Sequence, residues 1–165
     1  MKALSVKILI VLIIAIIAVG CASIFGESAM QSTIYSSNIG AAWQSEIEIR
    51  IPRILQLYGY NLREELIDYE FSRFVTNWEY RSLYPDEVQA GVVTARIRIT
   101  VESSSRGKTI THGTMPDRSS VSLLVENSFI LGDSDEWVAY ELGEGLQEFI
   151  HGLETEIRRQ LEIRI

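Results

Sequence analysis

Cys21 is the only cysteine in the 165-residue chain. One thiol excludes a disulfide framework within a single copy, and it excludes any cysteine-rich zinc site. Histidine is nearly as scarce, with only His112 and His151. No Gly-x-Ser-x-Gly elbow accompanies them, so the inventory for a Ser–His–acid hydrolase is thin. Basic residues are the minority: 15 Lys and Arg stand against 22 Asp and Glu, for a formal net charge of −7. Such a balance argues against sequence-independent nucleic-acid binding, which needs cations to replace phosphate counterions. It also leaves no polybasic patch for anionic lipid headgroups. A run of about 20 apolar residues, the length of a spanning helix, is missing too.

The longest unbroken apolar run is Ile8–Val19, 12 residues of Ile, Leu, Val and Ala. Lys2 and Lys7 precede it, and Ala18-Val19-Gly20-Cys21 closes it. A basic start, a short apolar stretch and small residues make a secretory signal. Read as an uncleaved helix instead, the apolar stretch extends to Phe25 but is interrupted by Gly20 and Ser23.

The order basic, apolar, small, Cys resembles the lipobox of bacterial lipoproteins. The resemblance implies cleavage between Gly20 and Cys21 and acylation of the Cys21 thiol. Ala18 stands where that family usually has Leu. Ala22, in place of an Asp, implies release to the outer membrane. Two or three acyl chains anchor stably where one does not, since each buried CH₂ contributes about 0.8 kcal/mol. Losing residues 1–20 removes Lys2 and Lys7 and leaves 13 basic against 22 acidic side chains, net −9. Attachment would then rest on the acylated N-terminus.

Three segments follow from this reading: a signal peptide over 1–20, Cys21 with a serine-rich tether over 21–40, and a single domain over 41–165. Five serines and few charges between 22 and 40 read as a solvated linker. Beyond it, Trp43, Ile47, Ile51, Ile54 and Tyr58 recur at helical spacing and predict a helix over 41–58, kinked or reset at Pro52, with Gly59 as its stop. Ile47, Ile49 and Ile51 also alternate, which admits a strand over 45–51 leading into a short helix near Pro52.

Strands are expected next. Asn61–Asp68 is a poor one; Phe74, Thr76, Trp78 and Tyr80 alternate well. Pro85-Asp86 reads as a turn. Ala95, Ile97, Ile99 and Val101 alternate with Arg96, Arg98 and Thr100, the cleanest half-buried strand in the chain. A hairpin loop over 103–108, a return over 109–114 and a strand over 121–129 complete the sheet. Leu142, Leu146, Phe149, Ile150, Leu153, Ile157 and Leu161 then trace one face of a helix, acidic early and arginine-rich at its end as the helix dipole favours. The expected fold is α+β: an antiparallel sheet of about four to five strands, with an N-terminal helix and a long C-terminal amphipathic helix packed on one face.

Few residues point to chemistry. His112 and His151 read as structural or surface residues. Asp133, Asp135 and Glu136 crowd one loop, yet the distal Glu and spacing of an EF-hand are missing. Gly143-x-Gly145 has no Lys or third glycine to make a phosphate loop. No catalytic residue, metal ligand or cofactor is expected. Trp43, Trp78 and Trp137 are expected to fill the core between helix and sheet rather than line a groove. Phe149, Leu153 and Ile157 are the helix residues that would cover the sheet or border such a groove.

The segment Trp43…Ile54-Leu55…Tyr58-Gly59-Tyr60…Asp68…Phe74-Val75-Thr76-Asn77-Trp78 resembles the opening of helix-grip domains of the BamC type, lipoproteins of the outer-membrane β-barrel assembly machine. There a helix ends at Gly-Tyr or Gly-Phe, an edge strand and a Thr-x-Trp strand follow, and an amphipathic helix closes over the sheet. Pro52 falls where that helix is continuous. The layout is also similar to the lipopolysaccharide-assembly lipoproteins of the LptE type. Together these resemblances imply a lipid-anchored, non-enzymatic accessory or scaffold in outer-membrane assembly, with an envelope protein as partner. The alternatives are a binding module for a lipid or other hydrophobic ligand between sheet and C-terminal helix, and an envelope hydrolase.

Overall fold

The computed structural model describes residues 33–68, 71–105, 118–139 and 142–163. The signal segment, Gly20 and Cys21 lie outside them, as do His112 and the return expected over 109–114.

Two 14-residue strands, β5 (Val92–Ser105) and β6 (Arg118–Leu131), form the spine of the sheet, paired antiparallel from Val92↔Leu131 to Ser105↔Ser119. The alternation expected over 95–101 is the middle of β5, and the strand runs further at both ends. Ser103–Ser105, expected in a loop, still belong to it. Ile97, Ile99 and Val101 face one side with Leu123 and Val125, all fully buried. Arg96, Arg98 and Glu102 face the other.

The first described element corrects the tether. Residues 33–40 are not linker but part of β1 (Thr33–Trp43), which pairs along β6 from Thr33↔Asn127 to Trp43↔Arg118 with a bulge between Asn38 and Gly40. Serine has little strand propensity, which hides this element from composition. Tertiary contacts hold it. The Tyr35 hydroxyl donates to Glu154 Oε1 at 2.9 Å and the Ser37 hydroxyl donates to the same oxygen. Arg158 Nε donates to the Ile39 carbonyl at 3.1 Å. The domain therefore includes Thr33, and a boundary at residue 41 would cut its edge strand away.

Helix α1 (Gln44–Leu57) comes second in the described fold, behind β1, so the domain does not open on a helix. Pro52 lies inside it without ending it. The proline removes only the bond to the Glu48 carbonyl, and burial of Ile47, Ile51, Ile54 and Leu55 holds the segment helical on both sides. The strand alternative over 45–51 is excluded. At the C-terminus Gly59, φ +86°, donates to the Gln56 carbonyl at 3.0 Å and Tyr60 to the Leu55 carbonyl at 2.9 Å. This is a Schellman closure, which needs the left-handed residue that glycine supplies.

β2 (Leu62–Ile67) is an edge strand on β3 (Phe71–Thr76), which pairs with the far half of β5. After Thr76 the chain does not continue straight. Val75 pairs with Thr100 and Glu79 with Ile97, so four steps on one side match three on the other. This extra residue is a bulge, and it reverses the faces beyond it. The Thr76 hydroxyl occupies the break, accepting from the Ile99 N–H at 2.9 Å and donating to the Asn77 carbonyl at 3.0 Å. Phe74 and Thr76 accordingly face the core, while Tyr80 on β4 (Glu79–Arg81) shares the opposite face with its register partner Arg96.

The expected turn at Pro85-Asp86 is a short helix, α2 (Pro85–Gln89), with Pro85 in its first turn. The C-terminal helix α3 spans Glu144–Gln160. The strand order is β1-β6-β5-β3-β2, with β4 pairing β5 beside β3: six antiparallel strands among the described residues, where about four to five were expected. α1 and α3 cover one face, in one buried cluster with Ile97, Ile99, Val101, Leu123 and Val125. Among the described residues, α1 and α3 leave the other face free of helix.

Candidate functional site

The six residues singled out for core or groove divide by location. Leu153 and Ile157 are fully buried between α3 and the sheet, and Phe149 lies at the rim, its ring 6.2 Å from those of Tyr58 and Tyr60. Leu146, Ile150, Leu153 and Ile157 together fill the space between α3 and the sheet, each at most 1% exposed. Their side chains pack α3 directly against the sheet in one cluster.

The three tryptophans correct the expectation of core packing: none belongs to the buried core. Trp43 ends β1, 38% exposed, with the Arg118 guanidinium 5.6 Å from its ring centre. It lines a recess of about 550 Å³ with Glu46, Arg50, Arg118, Leu161 and Glu162.

Trp78 and Trp137 meet on the helix-free face instead. The Arg96 guanidinium lies 3.8 Å from the Trp137 ring centre and 4.6 Å from that of Trp78, and Tyr80 packs on Trp137 at 6.0 Å. Each member has a local cause. β5 alternation turns Arg96 and Arg98 away from Ile97. The bulge after Thr76 turns Tyr80 the same way. Trp137 is held in place by its neighbour Val138, which exchanges two backbone hydrogen bonds with Phe129 of β6 at 2.9 and 3.0 Å. Burial pushes the Arg96 guanidinium below the usual arginine range, with Tyr80 opposing and Arg98 adding to the shift. The negative ring faces compensate part of that desolvation. Beside it Arg98 lies 4.7 Å from the Trp78 ring and makes a two-pronged pair with Glu126, both contacts 2.6 Å.

Exposed apolar side chains are spread over the surface, among them Leu66 and Ile67 on β2, Val88 on α2 and Val93 on β5. Ile34 and Tyr80 are 58% and 72% exposed on the helix-free face. On the outer side of α1, Ile49 and Leu57 border a shallow groove of about 370 Å³ with Glu46, Arg50, Arg53, Ile54 and Gln160.

Sequence reading missed two buried carboxylates. Glu154 interrupts the apolar stripe of α3 and takes the Tyr35 and Ser37 hydroxyls; Arg158 Nη1 stands 3.9 Å away. Burial, then the bond to Glu154, push the Tyr35 phenol above its ordinary range. Glu87 is the second: it accepts from Arg81 at 2.5 and 2.8 Å and from the Tyr84 N–H at 2.9 Å, while Arg81 reaches Asn127 Oδ1 at 3.1 Å. The only legible signal for Glu154 was a charge inside an apolar stripe with an Arg four residues on.

His151 is exposed, its Nδ1 4.0 Å from Glu154 Oε2, and Ser37 bonds the carboxylate rather than the imidazole. Those three residues do not form a Ser–His–acid relay. Among the described residues no grouping of His, Cys, Asp and Glu is arranged to hold a metal ion, and no helix is long and apolar enough to cross a membrane. Gly143 and Gly145 serve packing: a Cβ on Gly145 would lie 2.5 Å from the Tyr84 ring, so the glycine lets the first turn of α3 approach that residue. Compared with models of known protein families and with curated protein sequences, the chain matches none.

Proposed function

We propose that this chain is a lipid-anchored, non-enzymatic envelope protein, held at the outer membrane through acylated Cys21, facing the periplasm and serving as an accessory or scaffold subunit in envelope assembly. The observation that carries the reading is a packed core with the three tryptophans outside it. Leu146, Ile150, Leu153 and Ile157 seal the interior while Trp43, Trp78, Tyr80 and Trp137 stay on the surface. Such a domain offers surfaces for a partner. Its sequence supplies the anchor in the run from Lys2 to Cys21.

The helix-grip resemblance belongs to the same proposal. It is supported by two long helices on one face of an antiparallel sheet, by α1 closing at Gly59-Tyr60 before an edge strand, and by Thr76-Asn77-Trp78 at the bulge. The partner-facing surface is the outer groove of α1, where Leu57 is 80% exposed beside Ile49 and Arg53. Exposed apolar side chains with a charged rim are the composition of protein interfaces.

A photo-crosslinking residue in place of Leu57, followed by a pull-down from native membranes, tests this function. One envelope protein captured in stoichiometric amount is expected, and the same residue at exposed Glu65 on β2 should not capture it. No protein captured at Leu57 would contradict the scaffold reading.

A further inference from the structure

The helix-free face has no partner in the function proposed above, and it lies within covalent reach of the proposed anchor. Ile34 is the second residue of β1, and its register partner Glu126 pairs in turn with Arg98. Ile34 therefore shares the face of the Trp78–Arg96–Trp137 stack, one end of it. Thr33 follows Cys21 by twelve residues, a covalent reach of at most about 40 Å. Trp43, at the other end of β1, lies a further ten residues along, on the order of 30 Å away.

We propose that the helix-free face around Ile34, Tyr80 and Trp137 rests on the bilayer that carries the acyl chains, placing these side chains at headgroup level. The inference depends on the lipoprotein reading of Cys21. Tyr and Trp have an apolar body and a polar tip, which suits them to the membrane–water boundary. Arg98 and Glu126 neutralise each other on this face, so neither is drawn toward a charged headgroup. Asp133, Asp135 and Glu136 are exposed just ahead of Trp137. Carboxylates there repel anionic lipids and accept hydrogen bonds from the ammonium of a zwitterionic ethanolamine headgroup. Bilayer and protein partner then lie on opposite sides of the sheet, since α1 covers the other face.

The test uses the protein extracted from membranes and reconstituted into phosphatidylethanolamine–phosphatidylcholine vesicles containing lipids brominated near the headgroup end of the acyl chain. One variant keeps only Trp137 (Trp43→Phe with Trp78→Phe), and another keeps only Trp43 (Trp78→Phe with Trp137→Phe). Trp137 emission should fall, as for a ring at the interface, and Trp43 emission should not change. Tyr80→Glu, at an exposed position, should abolish the Trp137 quenching, and anionic lipid should weaken it. Unquenched Trp137, or equal quenching of both residues, overturns the proposal, as does a protein crosslinked at Tyr80 in native membranes. The mass of the N-terminal peptide separates the two claims. Acylated protein with unquenched Trp137 overturns this inference alone, whereas an unacylated thiol overturns the anchor and the inference with it.

Discussion

Glu87→Ala is expected to destabilise the domain by about 3–5 kcal/mol, the cost of breaking a buried ion pair from one side. Glu87 is 3% exposed and holds both prongs of Arg81, itself nearly buried against Tyr84 and Phe129. Removing the carboxylate strands a guanidinium in the interior. It also takes the acceptor from the Tyr84 N–H at the start of α2. The pair need not stabilise the fold relative to an apolar replacement. Arg81→Met combined with Glu87→Leu should therefore recover most of the loss. Urea unfolding of the two variants checks this, and a loss below about 1 kcal/mol for Glu87→Ala would place the pair among exposed bridges of little consequence.

Leu153→Ala is expected to cost about 2–5 kcal/mol, the range for deleting a buried leucine. Leu153 is fully buried and shares one cluster with Ile97, Val101, Leu123 and Ile157, so no solvent can enter to relieve the cavity. The substitution is apolar to apolar, which keeps electrostatics out of the comparison. A thermal or urea melt shift near zero would mean that α3 does not cover the sheet and would reopen the groove beneath it to a hydrophobic ligand.

Both positions show which parts of this fold can be read from the sequence. Leu153 was legible because helical spacing records which face is dry. The same holds for Ile97 and Ile99, whose alternation with arginines marks a strand with one wet side, and for Gly59, whose left-handed conformation ends α1. Glu87 was not legible. Its partner is six residues away, across a loop, and nothing in the spacing says that both are buried. β1 escaped because it is held by β6 and by Glu154, over a hundred residues later, and local composition does not record such partners.

The tryptophans escaped for a related reason. Phe74, Thr76, Trp78 and Tyr80 alternate as though they shared a face, and one extra residue at Asn77-Trp78 sends the last two to the other side. Periodicity counts residues but cannot see a bulge. The proposed anchor is a different case: it rests on order and composition over the first 21 residues, which lie outside the described residues.

That anchor is the central claim, and Cys21→Ser tests it most directly. Serine keeps the size of the side chain and removes the thiol that accepts the acyl group. The account predicts that wild type fractionates with membranes as a shortened, acylated chain, and that Cys21→Ser accumulates as the longer precursor without acyl mass. A variant that migrates, fractionates and weighs in like wild type, apart from the single substituted atom, would contradict it.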